Sequence, residues 1–184
     1  MKKRVISLLL ALVLALGLLP TAAWAAGTDV SALPEFSEGA DTSTIQKFKI
    51  SSADSLEALA TAVKENDGKG AYNLKGFTFY LANDIELSDT WTPISNVTYP
   101  ADAFAGTFDG NGHTISGLNG SNGLFGFVNG ATIKNLKVEG TISGTSANVG
   151  GIVGKTQGKV TITNCSFTGS VSTCLLYTSD AADE

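Results

Sequence analysis

The sequence predicts a mostly β fold, a parallel β-helix that begins at residue 47 and ends at residue 173. Residues 103–172 consist of short apolar segments separated by glycine or asparagine, a pattern typical of many short strands. Two segments of this region repeat with a period of about 29 residues, which is typical of a solenoid of stacked coils. Because the repeats show strand patterns and no helical pattern, we expect hydrogen bonding between coils, with strands about 4.8 Å apart.

The N-terminal segment, residues 1–26, has the features of a secretory signal peptide. Basic residues at positions 2–4 precede an apolar run over residues 5–19, and an Ala-Trp-Ala cleavage sequence follows. A membrane anchor is the alternative, but the run is shorter than the ~20 residues that a span needs. We therefore expect export, cleavage and a product that is not an integral membrane protein. Residues 27–46 are polar and unpatterned and are predicted to be a linker.

One amphipathic helix is predicted from Asp54 to Asn66. Asp54 followed by Glu57 fits a capping arrangement, and Gly68 fits a helix end. The apolar residues at helical spacing are Leu56, Leu59, Ala60 and Val63. Since nothing else in this region is helical, we expect this helix to bury its apolar side on the N-terminal end of the stack.

The two repeats cover residues 123–143 and 151–172. The start of one aligns residue for residue with the start of the other, and one extra residue enters near Lys159. Beyond it, apolar residues again match apolar residues, from Ile133 on Ile162 to Ile142 on Val171. Asn135 falls on Asn164 in this alignment, and asparagine tolerates the left-handed backbone that a corner requires. The pair is therefore predicted to form a side-chain ladder at a stacked corner.

These repeats, "GLFG…IKNLKVEGTIS" and "VGGIVG…ITNCSFTGSVS", resemble the GLUG motif of bacterial surface proteins. The segments "FYLANDIELSDTWTPI" and "FAGTFDGNGHTISGL" resemble what precedes GLUG repeats, so the resemblance extends over residues 53–172. It implies a right-handed parallel β-helix on an exported bacterial protein. The motif is also similar to segments of secreted peptidases and adhesins. It contains no catalytic residue, so the resemblance assigns none here.

The C-terminal residues 174–184, "CLLYTSDAADE", do not continue this pattern. They look like a translated sequencing adapter, and the alternative is a native polar tail. We expect Thr173 to be the last native residue and the natural protein to continue with further coils. Without this tail Cys165 is the single cysteine, which precludes an internal disulfide. The net charge of −5 comes from scattered charged residues and argues against nucleic acid and anionic membranes as partners.

The stretch "GTFDGNGHTISGL" contains the single histidine of the chain, His113, which follows Asp109 closely. As a catalytic pair, Asp109 would orient His113 as a base, which also requires a nucleophile or a bound substrate. As a structural element, Asp109-Gly110-Asn111-Gly112 is a turn between two strands. We favour the turn, because no catalytic partner stands at a recognisable spacing.

Other candidate residues also have a structural interpretation. Asp84 and Glu86, with Asp102 as a further carboxylate, could take part in glycoside hydrolysis or bind calcium. We favour the interpretation that they are solvent-exposed residues at the rim of the fold. Trp91 could be an exposed platform for a sugar ring, but packing in the stack is favoured. Cys165 matches an apolar repeat position and is predicted to be a buried core residue, not a nucleophile.

The sequence therefore predicts no catalytic residue, no cofactor-binding residue and no metal ligand. The expected function is a non-catalytic cell-surface β-helix module, a stalk or an adhesive or ligand-binding part of a larger protein. A host or cell-surface glycan or protein is the expected class of partner. The alternatives are a carbohydrate-active β-helix enzyme, in which Asp84, Glu86, Asp102, Asp109 and His113 would converge on one face, and the non-catalytic part of a secreted peptidase.

Overall fold

A computed structural model describes residues 28–29, 47–64, 74–95, 103–145 and 147–173. These residues form a parallel β-solenoid of about four turns with one helix, which confirms the predicted fold class. The right-handed sense of the coil stays a prediction. The predicted signal peptide, most of the linker, Asp102 and the C-terminal segment 174–184 lie outside the described residues.

The helix and strands follow one another in a simple order along the described chain. The helix, α1, is Ala53–Lys64. The strands are β1 (Thr28–Asp29), β2 (Lys47–Ile50), β3 (Thr78–Leu81), β4 (Ile85–Glu86), β5 (Thr107–Asp109), β6 (Thr114–Gly120), β7 (Phe125–Asn129), β8 (Thr132–Lys134), β9 (Lys137–Gly144), β10 (Val153–Gln157), β11 (Thr161–Thr163) and β12 (Ser166–Thr173).

Three parallel sheets form the walls of the solenoid. The first wall has the order β1-β2-β3-β5-β8-β11, and the second has the order β4-β6-β9-β12. The third wall contains β7 and β10, and single bridges join Ile94 to Phe125 and Phe104 to Val128. Each inner coil therefore contributes one segment to each wall, and strand hydrogen bonds run from coil to coil.

The strand register reproduces the sequence alignment of the two repeats. Val153 lies beside Phe125 in the third wall, as the alignment of the repeat starts predicts. Ile162 lies beside Ile133 in the first wall and Phe167 beside Val138 in the second, and both pairs are one residue further apart in sequence. The extra residue near Lys159 accounts for this longer spacing, because it falls between β10 and β11.

A column of large apolar side chains fills the first wall from the inside. Phe48 pairs with Phe79, Phe79 with Phe108, Phe108 with Ile133 and Ile133 with Ile162. The Phe48 and Phe79 rings stack at 5.4 Å, and Phe108 meets Phe125 edge to face at 5.3 Å. Removing this much apolar surface from water is the main stabilising term for such a stack.

Asparagine residues form the predicted ladder at one corner of the stack. Asn111, Asn135 and Asn164 each have a φ of 53°, in the left-handed region. The Asn164 side-chain amide donates to the Asn135 side-chain oxygen at 3.0 Å, which confirms the predicted pair. Asn135 in turn donates to Asp109 Oδ1 at 3.0 Å, so the ladder extends one coil further than the sequence indicated.

Helix α1 begins one residue earlier than predicted, and a different pair of residues caps it. The Ser52 hydroxyl accepts from the Ser55 N–H, and the Ser55 hydroxyl accepts from the Ser52 N–H at 3.0 Å. The predicted Asp54–Glu57 cap is therefore wrong, because Asp54 already lies inside the first turn. The predicted apolar stripe is confirmed, with Leu56, Leu59, Ala60 and Val63 all buried. The predicted end at Asn66 and Gly68 lies outside the described residues.

The position of α1 in the chain places it at the N-terminal end of the stack. It follows β2 and precedes β3, the neighbouring strands of the first wall. In the described residues the second wall starts only with β4, one coil later. The helix thus takes the place of the other walls in the coil of β2, and its apolar side covers the core there.

Candidate functional site

The stretch from Asp109 to His113 forms a tight corner between β5 and β6. Asp109 Oδ1 accepts from the Asn111 N–H at 2.9 Å, and the His113 N–H donates to the Gly110 carbonyl at 2.8 Å. The Gly112 N–H donates to the Asn135 carbonyl of the next coil at 2.9 Å. Gly112 has a φ of 84°, a conformation that favours glycine. The geometry confirms the turn interpretation of this stretch.

Asp109 interacts with the next coil and not with His113. Its Oδ2 lies 3.1 Å from Lys134 Nζ, and its Oδ1 accepts from Asn135. Burial acts to raise the pKa of Asp109, but the hydrogen bonds from Asn135 and the Asn111 N–H, together with Lys134, outweigh it and lower this pKa below its usual value. The hypothesis that Asp109 orients His113 is therefore wrong, because the carboxylate is fully engaged at the corner itself.

The partner of His113 is Asp84, from the preceding coil. His113 Nδ1 lies 3.1 Å from Asp84 Oδ1, and the same oxygen accepts from the Thr114 N–H at 2.9 Å. The hydrogen bond from the Thr114 N–H, followed by the one from His113, lowers the pKa of Asp84. The pair faces water, since the side chain of His113 is 32% exposed and that of Asp84 is 75% exposed.

Sequence reasoning missed this pair, although the coil register contains the information. Ile85 lies beside Ile115 in the second wall, so Asp84 and Thr114 stand one residue before a matched pair. Extending the coil period upstream of residue 123 would have brought Asp84 next to the His113 corner. Irregular spacing hid this, because the step along the chain from Phe108 to Ile133 is shorter than the steps before and after it.

The remaining acidic candidates do not form one cluster around this pair. Glu86 is exposed on β4 and pairs in register with Ser116, and Asp102 lies outside the described residues. Within the described part of the chain, no group of three or more His, Cys, Asp or Glu residues could hold a metal ion. The structure therefore joins His113 to Asp84 and joins Asp109 to Lys134, at two separate places on one corner.

Trp91 is buried and is not an exposed platform. The residue is only 4% exposed, and its Nε1–H donates to the Leu124 carbonyl at 3.0 Å. It forms the floor of an open cleft of about 250 Å³ between α1 and residues 90–92, which Glu57 and Thr61 also line. This volume is below the roughly 300–1,000 Å³ of ordinary ligand pockets. The packing interpretation of Trp91 is thus the correct one.

Cys165 points toward the core but is only half-buried. It packs against the core cluster, and its Sγ lies 3.6 Å from the Ile133 carbonyl oxygen. Full burial was predicted from its match with Leu136, which is 0% exposed. The difference arises because Leu136 has a coil stacked on it, and among the described residues Cys165 has none.

A membrane-spanning helix would need a long apolar segment, and none of the helices in the described residues meets that requirement.

The comparisons with known proteins bear on the last coil. Neither the curated proteins nor the solved structures contain a match to this chain. A family model for the GLUG motif matches residues 145–172, a range that contains β10 and β11 and all but the last residue of β12. The earlier repeat at 123–143 has the same coil geometry but lies outside that match. The last described coil of this β-solenoid is therefore a GLUG motif.

Proposed function

We propose that this chain is a non-catalytic β-helix module of an exported bacterial surface protein, with a structural or adhesive role. The observation that carries this proposal is that the carboxylates at the corner form hydrogen bonds within the stack itself. Asp109 accepts hydrogen bonds from Asn111 and Asn135 and pairs with Lys134, and Asp84 accepts from the Thr114 N–H. These carboxylates connect one coil to the next, which is the role expected of side chains that stabilise a rigid stack.

The outer surface of the second wall supports an adhesive role. On β9 exposed side chains alternate with buried ones, and the register of β9 with β12 brings hydroxyls of neighbouring coils side by side. Ser143 and Ser172 are 3.0 Å apart, and Ser170 donates to Thr141 at 3.4 Å. Lys137 and Glu139 add one charge of each sign to the same face. Exposed hydroxyls and charges at fixed spacing suit hydrogen bonding to a glycan or to a polar protein surface.

The experiment that tests this proposal has two parts. Protease treatment of intact cells that express the full chain should remove it if it is displayed, while a cytoplasmic marker survives. A glycan array with the purified chain should then show binding that falls when Thr141 and Ser170 are both changed to Lys. The matched control is Thr78→Lys with Thr107→Lys, on the outer side of the first wall, which should leave binding unchanged. A chain retained in the cytoplasm would contradict the proposal.

The Asp84–His113 pair favours one second candidate, a carbohydrate-active enzyme. A histidine at hydrogen-bond distance from a carboxylate is the usual arrangement of an oriented base. A turnover screen against polysaccharides decides between the two functions. Hydrolysis that His113→Ala abolishes in a folded protein would establish the enzyme and overturn the non-catalytic proposal.

A further inference from the structure

No further inference is drawn: the strongest candidate, the open cleft of about 250 Å³ between α1 and residues 90–92 that Glu57, Thr61 and Trp91 line, carries none, because nothing in the structure shows what would occupy it and residues 65–73, which continue the chain from α1, lie outside the described residues.

Discussion

The coil over residues 123–144 and the coil over residues 147–173 have the same sequence pattern and opposite environments. Ile133 and Ile142 of the first are fully buried, while Ile162 and Val171 of the second are each 47% exposed. The register between them is continuous, so side chains at matched positions point the same way. The pattern thus determines the direction of a side chain, and the coil stacked above it determines its burial.

The largest expected effect comes from the matched pair Ile133→Ala and Ile162→Ala. Ile133 lies between Phe108 and Ile162 in the apolar column, so its truncation leaves a cavity and should cost about 2–5 kcal/mol of unfolding free energy. Ile162 is already about half exposed, so Ile162→Ala should cost about 1 kcal/mol or less of unfolding free energy. Urea denaturation followed by circular dichroism measures both values. Equal costs would mean that another segment covers the last coil.

The corner ladder gives the next comparison. Asn135→Ala loses hydrogen bonds to Asp109 and Asn164 and places alanine in left-handed backbone, which together should cost about 2–3 kcal/mol. Asn164→Ala also places alanine in left-handed backbone but loses only one exposed hydrogen bond, so it should cost less, about 1–2 kcal/mol. Asn135→Gly serves as the control, since glycine accepts the left-handed backbone and isolates the contribution of the side chain. An Asn164 variant as unstable as the Asn135 variant would contradict the ladder.

Low pH should reduce the stabilising contribution of the corner at Asp109 more than that of the equivalent corner in the last coil. The pKa of Asp109 is lowered in the folded chain, so the unfolded chain binds more protons as the pH falls toward 3. Its stabilising contribution is therefore complete above about pH 5 and is lost progressively below the ordinary aspartate pKa of about 3.9. Asp109→Asn should lower the melting temperature at pH 7 and change it little at pH 2. In the last coil Thr163 holds the equivalent position, and Thr163→Ala should show no such dependence. A difference between wild type and Asp109→Asn that is constant with pH would refute this assignment.

The smallest expected effect distinguishes the two members of the exposed pair. His113→Ala removes a water-exposed contact and should leave the melting temperature almost unchanged. Asp84→Ala also removes the acceptor of the Thr114 N–H and should lower the melting temperature more than His113→Ala does. Thermal melts at pH 7 measure both. A His113→Ala protein that is less stable than Asp84→Ala would show that the histidine, and not the carboxylate, holds this corner.

The sequence alone determined the stacked coils, the inward positions of the repeats and the asparagine corner. The alternation of Phe77, Phe79 and Leu81 and the match of Ile133 with Ile162 were sufficient, because a strand has a side-chain period of two and a stack repeats its coils. The asparagine pair could be predicted for a similar reason, since few residues other than glycine tolerate left-handed backbone.

Only the tertiary structure decided the contacts between coils that lie outside the aligned repeat positions. Asp84 and His113 belong to successive coils, and the shorter step from Phe108 to Ile133 hid their match, because it interrupts the period between this pair and the two aligned repeats. The capping of α1 by Ser52 and Ser55 depends on the path by which the chain leaves β2. The half-burial of Cys165 and Phe167 depends on what stacks above them. Such contacts are set by the rise and corner of each coil, which follow from the packing of the whole stack and not from the pattern of one repeat.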